Sequence, residues 1–192
     1  MTSIAVGERL SLSSLMRGFY TARRSTTVTT MEVRPYQNDD EAAAAVVWYR
    51  SGREEYDYLP LFQALSLKEA RRFFAEVIVP GAELWVATKV GEGGTEAGEP
   101  RAEEIVGFLA LRGSYVDRLY VDPSSQRLGV GARLLAVACQ RSPGGLELHT
   151  HQQNTRARDF YEKHGFQAVA LGLSPAPESV PDVEYHWRPA GA

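Results

Sequence analysis

Disulfide chemistry is excluded at once: Cys139 is the only cysteine in 192 residues, so no intrachain bridge can form and no secretory framework exists. Long hydrophobic runs are missing as well. The stretch at residues 73–79 is broken by charge and falls far short of the roughly 20 apolar residues that cross a bilayer. Metal-ligand spacing is nearly absent. His149 and His151 stand two apart, on one side of a strand, but no cysteine or acidic residue at ligand spacing supports them, so they read as strand histidines. A strong excess of one charge is missing too, the net charge being −3. Residues 1–30 hold four arginines against Glu8, a balance of +3, which leaves −6 on the other 162 residues. A folded region this acidic lacks the basic footprint that a nucleic-acid backbone demands. These absences predict a cytoplasmic, reducing environment, with no metal and with neither nucleic acid nor membrane among the partners.

What is present suits one compact domain, monomeric or homodimeric. A composition of 44% hydrophobic and 23% charged residues can bury a sizeable core. Residues 1–30 stand apart: rich in Ser, Thr and Arg, nearly free of acid, and lacking the apolar centre of a secretory signal. They read as a tail outside the catalytic fold. It is an organellar transit peptide, a disordered tail, or the result of a start placed too early, since Met31 directly precedes the first convincing strand. The folded domain is expected over residues 31–192.

Along that domain the pattern predicts a short strand at 31–34, ended by Pro35. A helix follows, capped by Asn38 or Asp39 and running to about Tyr49. Residues 51–60 read as a loop. Ser66 and Glu69 form a capping box that opens a second helix to about Val77, with Pro80 and Gly81 ending it. Strands are expected at 83–89, 105–111 and 115–121. The Gly- and Glu-rich residues 91–104 form an exposed hairpin loop, and a tight turn lies at 112–114. A helix at 128–141, a strand at 146–150, a helix at 155–164 and strands at 166–171 and 183–187 complete the order. The result is an α/β (α+β) layered domain with a mixed sheet.

The most informative segment is the strand ending at Val121 followed by Gln126, Gly129 and Gly131 at the start of a helix. Several amides then point one way at the positive end of a helix dipole, which favours an anion. Glycine lets a phosphate approach the backbone where a Cβ would clash. A P-loop would need Gly-Lys-Ser/Thr where Gly131-Ala132-Arg133 stands, and a dinucleotide fingerprint would need glycine where Leu134 stands.

The pattern Gln126-x-x-Gly129-x-Gly131 resembles the acyl-CoA signature of the GCN5-related N-acetyltransferases, the GNAT family. Leu119-Tyr120-Val121-x-Pro123 is similar to that family's preceding strand. Asn154-x-x-Ala157-x-x-Phe160-Tyr161-x-x-x-Gly165-Phe166 is similar to its second hallmark. The resemblance implies a mostly antiparallel mixed sheet, flanked by helices and splayed at its central strand. It further implies that the backbone of Leu119, Tyr120 and Val121 pairs with the pantetheine arm of acetyl-CoA. Amides of Gln126, Arg127, Leu128, Gly129, Val130, Gly131 and Ala132 would hold the pyrophosphate, and Asn154 would contact the cofactor while also suiting an N-cap. Tyr161 would protonate the departing thiolate.

Transfer to an amine needs a proton acceptor, an oxyanion donor and an acid for the thiolate. For the base, Asp117 stands first, with Tyr115, Glu54, Glu55 and His151 behind it, and water remains an alternative. Tyr49, Tyr56, Tyr58 and Phe62, with Glu54, Glu55 and Asp57, form either an aromatic and acidic wall for a cationic acceptor or part of the core. The expected reaction is acetyl transfer from acetyl-CoA to a primary amine, of a small polar molecule first and of a protein N-terminus or lysine second. A catalytically idle acyl-CoA-binding module is the third reading.

Overall fold

A computed structural model describes residues 30–90 and 103–189. The expected tail at 1–29 and most of the expected hairpin loop, residues 91–102, lie outside the described residues. Seven strands form one sheet in the order β1-β2-β3-β4-β5-β7-β6. The first four, β1 (Met31–Pro35), β2 (Glu83–Val90), β3 (Glu103–Arg112) and β4 (Tyr115–Val121), make an antiparallel meander. The others, β5 (Leu146–His151), β6 (Gln167–Leu173) and β7 (Pro181–Trp187), make a second antiparallel group with β7 inserted between β5 and β6. The parallel contact of β4 with β5 joins the groups and is paired at one position only, Tyr115 with Glu147. Beyond it the strands diverge, so the sheet is mixed, mostly antiparallel and splayed at β4.

Two cores, one on each face, hold helices against the sheet. On one face α5 (Val130–Arg141) buries Val130, Leu134, Leu135 and Ala138, a helical spacing, against Val106, Leu109, Leu146, Leu148 and Tyr185. Each of the valine and leucine side chains contributes about 1.5–3 kcal/mol when fully buried, and the alanine methyl less. Helix α6 (Thr155–Lys163) joins this core through Tyr161. The other face carries α1 (Glu41–Glu55) and α3 (Leu67–Phe73), whose Ala44, Ala45, Trp48 and Ala70 pack on Val86, Phe108 and Ala110. The short α2 (Pro60–Ala64) lies between them in sequence. A π turn (Phe74–Ile78) carries α3 into a single turn, α4 (Val79–Gly81).

The first helix departs from its expected bounds at both ends. Asn38 and Asp39 lie within a short 3-10 turn rather than capping it. At the other end the helix runs six residues past Tyr49, into the first half of the expected loop, because Ser51 and Gly52 are small enough to bury against β4 and the Phe62 ring. The capping box is formed as expected: Ser66 Oγ accepts from the Glu69 amide and Glu69 from the Ser66 amide.

Asp40 ties β1 to this helix. Its carboxylate takes both Arg34 guanidinium nitrogens, at 2.7 and 2.9 Å, and accepts the Gln37 amide at 2.7 Å. The hydrogen bonds from Arg34, ahead of the opposing cost of burial, hold the Asp40 pKa below its ordinary value. A folded-state pKa below the unfolded one gives stability that is complete above roughly pH 4 and is lost as pH falls through the depressed value. We therefore expect Asp40→Asn to cost about 2 kcal/mol at neutral pH in urea unfolding and to flatten the acid limb of the stability curve.

Candidate active site

The splay opens a cleft whose floor is the free edge of β4. The Asp122 amide donates to the Val106 carbonyl at 2.8 Å, so this pair, and by alternation Tyr120 with Phe108, carries the β3–β4 ladder. Leu119 and Val121 then turn their backbone groups away from β3, towards the side where β5 has diverged. Among the three expected backbone contacts, Tyr120 is thus already engaged with β3. The Val121 carbonyl accepts from Ser51 Oγ at 2.7 Å and from the Gln126 side chain at 3.3 Å. A register shift beside Asp117 reverses the facing of the residues after it. Leu119 and Val121 therefore pack towards the α5 core, while Tyr120 stacks on Phe108 on the α1 face.

At one end of the cleft the chain turns into α5. The helix begins at Val130, two residues later than the expected Leu128, because Arg127 and Gly129 have φ of +62° and +83°. A Cβ at Gly129 would meet nothing, so space is not what calls for glycine here; the left-handed backbone is. Gly131 has the other reason, since a Cβ there would lie 3.3 Å from the Phe160 ring. Gly129 caps the helix without any side-chain hydrogen bond, which leaves the first helical amides open to a ligand. Leu128 and Arg127 are exposed, Ala132 is half-buried and Val130 anchors the turn in the core.

Across the cleft, Asn154 caps α6 by accepting the Ala157 amide at 3.0 Å. Arg156, two residues on, reaches over the cleft to Glu54 at 3.1 Å, to Glu55 at 3.8 Å and to the side-chain oxygen of Gln126. Burial raises the Glu55 pKa against the pull of Arg156. Tyr161 is buried beside Phe160, Phe166 and Tyr185, with ring centroids 5.2, 5.4 and 6.4 Å away. Burial pushes its hydroxyl well above the ordinary tyrosine range, and neighbouring Tyr120, Glu55 and Tyr115 push the same way. It is a group that stays protonated.

The acceptor side holds the remaining candidates. Asp117 is occupied by two guanidiniums, Arg112 at 3.4 Å and Arg118 at 3.6 Å. The expected aromatic wall divides. Tyr49 and Phe62 pack on the α1–α3 core, whereas Tyr56 and Tyr58 face His151, with ring centroids at 5.1 and 6.0 Å. The Tyr120 hydroxyl lies 3.5 Å from that of Tyr56. The two histidines have separate partners: His149 meets Asp182 at 2.9 Å, and buried His151 meets Tyr58 at 2.9 Å and Glu178 at 3.3 Å. Glu178 carried no motif in the sequence; only the fold brings it to His151.

The open β4 edge, the glycine turn with free amides and the buried tyrosine on the opposite helix all fall within one segment that matches a known family. Residues 80–168 match the acetyltransferase (GNAT) domain. Over 139 residues the chain is 31% identical to peptidyl-lysine N-acetyltransferase YjaB of Salmonella typhimurium, spanning 72% of this chain and 85% of that one. This chain belongs to the GNAT family of acetyltransferases. The Escherichia coli YjaB of the same description is 30% identical, over 72% of this chain and 84% of its own. The apo-form solution structure of E. coli YjaB superposes with a TM-score of 0.64 at 26% identity, covering 85% of this chain and 99% of that one. The paiA N-acetyltransferase of Thermoplasma acidophilum, in complex with coenzyme A, shares the fold: TM-score 0.56 at 17% identity, covering 83% and 99%. The chain is thus an acetyl-CoA-dependent N-acyltransferase. No helix among the described residues is long and apolar enough to cross a membrane.

Proposed function

We propose that this enzyme acetylates the side-chain amine of lysine in a polypeptide, by direct attack on acetyl-CoA in a ternary complex. The observation that carries the reading is the divergence of β4 from β5 after Tyr115, which leaves the Leu119 backbone and the Val121 amide turned to the open side for a pantetheine arm. The Val121 carbonyl is taken by Ser51 and Gln126. The turn at residues 126–132 would hold the pyrophosphate on its amides, Asn154 would touch the cofactor from the start of α6, and Tyr161 would give its proton to the leaving sulfur. The lysine acceptor is supported by relatives described as peptidyl-lysine N-acetyltransferases. The acidic side chains at the cleft, Glu54, Glu55, Asp57 and Glu178, suit a cationic amine. The same charges favour a second reading, a small free amine, which meets those groups without a polypeptide attached.

Ligands that bind only the folded state raise its stability by about 2.7 kcal/mol at a hundred times Kd. Acetyl-CoA and CoA should therefore raise the melting temperature of the full chain, and of a version starting at Met31, while NAD does not. Thiol release is then compared with lysine-containing peptides and with free lysine or spermidine. Turnover on peptides above that on the free amines supports the lysine reading, and the reverse ranking replaces it with the second. Absence of any CoA response in folded protein would remove the site assignment itself.

A further inference from the structure

The acceptor side of the cleft contains a hydrogen-bonded line that the cofactor chemistry does not use. It runs from Tyr58, after α1, through His151 at the end of β5, to Glu178 in the loop between β6 and β7. That loop is pinned at its base, where the Ser174 amide donates to the Val180 carbonyl at 2.9 Å and the Val180 amide to Ser174 Oγ at 3.2 Å. His151 is fixed by its pairing with Asp182 across β5 and β7, and by the Asn154 amide on its carbonyl. Both ends of its ring are therefore directed by separate elements.

We propose that Tyr58, His151 and Glu178 form the relay that removes the proton from the acceptor amine, with Tyr58 touching the amine and the other two positioning and polarising it. This rests on the reading that a primary amine is the acceptor. The direction of the bonds follows from the acid end. The hydrogen bond from His151 holds the Glu178 pKa below its ordinary value, so Glu178 is a carboxylate and can only accept. His151 Nε2 then carries the hydrogen, and Nδ1 is left to accept the Tyr58 hydroxyl at 2.9 Å. Among the described residues that hydroxyl has no other hydrogen-bond partner, so its oxygen is free to receive an N–H. Burial, helped by Asp57, Glu178 and Glu55, pushes the Tyr58 pKa up to about 12, which suits a shuttle that remains a hydroxyl between turnovers.

The protons balance. The ammonium gives one proton to the Tyr58 oxygen as the Tyr58 proton moves to His151 Nδ1, and the imidazolium, paired with Glu178, returns it to solvent. The nitrogen lone pair then attacks the thioester carbonyl, forming the C–N bond. On collapse the C–S bond breaks with its electron pair on sulfur, which takes the Tyr161 proton. The second nitrogen proton restores Tyr161. Other groups face the line as well: Tyr56 just after α1, Arg118 and Tyr120 from β4, Asp182 from β7, and Glu55 and Asp57 near Tyr58.

The test uses the full chain with acetyl-CoA and a lysine-containing peptide, measuring thiol release against pH. Tyr58→Phe, His151→Gln and Glu178→Gln are each expected to lower kcat, the first two by about a hundredfold, with unchanged KM for acetyl-CoA and unchanged melting temperature. Because the relay accepts the ammonium form, wild-type kcat/KM levels off below the amine's own pKa of about 10.4, whereas His151→Gln depends on neutral amine and keeps rising about tenfold per pH unit up to that value. The double variant Tyr58→Phe/His151→Gln is no slower than the worse single one, as members of one unit require. A His151→Gln enzyme whose kcat/KM levels off as in wild type, or losses that multiply in the double variant, overturns the relay. Should His151→Gln fail to fold, Tyr58→Phe, which deletes one oxygen, decides alone: full activity refutes the proposal. Wild type that turns over no amine overturns the acceptor reading and the relay together, whereas active wild type with unaffected variants overturns the relay only.

Discussion

Tyr161→Phe should lower kcat for acetyl transfer by about a hundredfold while leaving the affinity for acetyl-CoA nearly unchanged. The substitution removes one oxygen and keeps the ring, so the packing against Phe160, Phe166 and Tyr185 survives. This separates the two roles open to that residue. A tyrosine that only filled the core between α6 and β7 would tolerate the change, since Phe has nearly the same volume. An acid for the thiolate would not, because the departing sulfur needs a proton from a group that still holds one. Burial, the largest influence on the Tyr161 hydroxyl, keeps it protonated. The measurement is single-turnover thiol release alongside calorimetric titration of acetyl-CoA. Wild-type turnover in the variant would return Tyr161 to the core and leave the thiolate to solvent.

How much of this was legible beforehand can be judged from particular residues. Strand β4 matches its expected bounds, because the turn at 112–114 and Asp122-Pro123 punctuate both ends. The Gln126 to Gly131 pattern marked the turn, yet not where the helix starts. Leu128 looks like a helical apolar position but is exposed, since positive φ at residues 127 and 129 keeps the chain out of the helix. Ser51 and Gly52 resembled loop composition, and only the burial of α1 against β4 explains them as contact residues. The facing of Tyr120 was hidden by the register shift beside Asp117, because one extra residue reverses an alternation that otherwise reads directly. Glu178 could not have been found at all. Its partner His151 stands 27 positions earlier, and the contact depends on β7 entering the sheet between β5 and β6. Local signals marked the proposed cofactor side; the proposed acceptor side is assembled from distant segments.

Gly107→Val should destabilise the protein by about 3 kcal/mol and weaken acetyl-CoA binding in the same stroke, because one glycine seats both halves of the cofactor side. It lies on β3 opposite Val121. A Cβ there would stand 3.0 Å from the Tyr120 carbonyl, 3.0 Å from Val130 Cγ1 and 3.1 Å from Leu134 Cδ1. All three neighbours are fixed: the first is backbone of β4, and the other two are buried side chains on the first turns of α5. Overpacking a well-filled core typically costs about 1–3 kcal/mol, and a clash with backbone places valine at the upper end. For a domain of this size that loss corresponds to a fall of roughly 6–12 °C in Tm. The clash with Val130 and Leu134 is relieved by lifting α5 from β3, and the clash with the Tyr120 carbonyl by moving β4 itself. Either movement shifts the amides after Gly129 relative to the open edge at Leu119 and Val121, so the contacts proposed for the pyrophosphate and the pantetheine arm can no longer be made together. Gly107→Ala is the graded control, expected to lose about 1 kcal/mol with a smaller rise in KM for acetyl-CoA. A valine variant that melts lower but binds acetyl-CoA with wild-type affinity would show that the glycine turn adjusts independently of the strand. One that melts at the wild-type temperature would show that α5 does not rest on Gly107 at all.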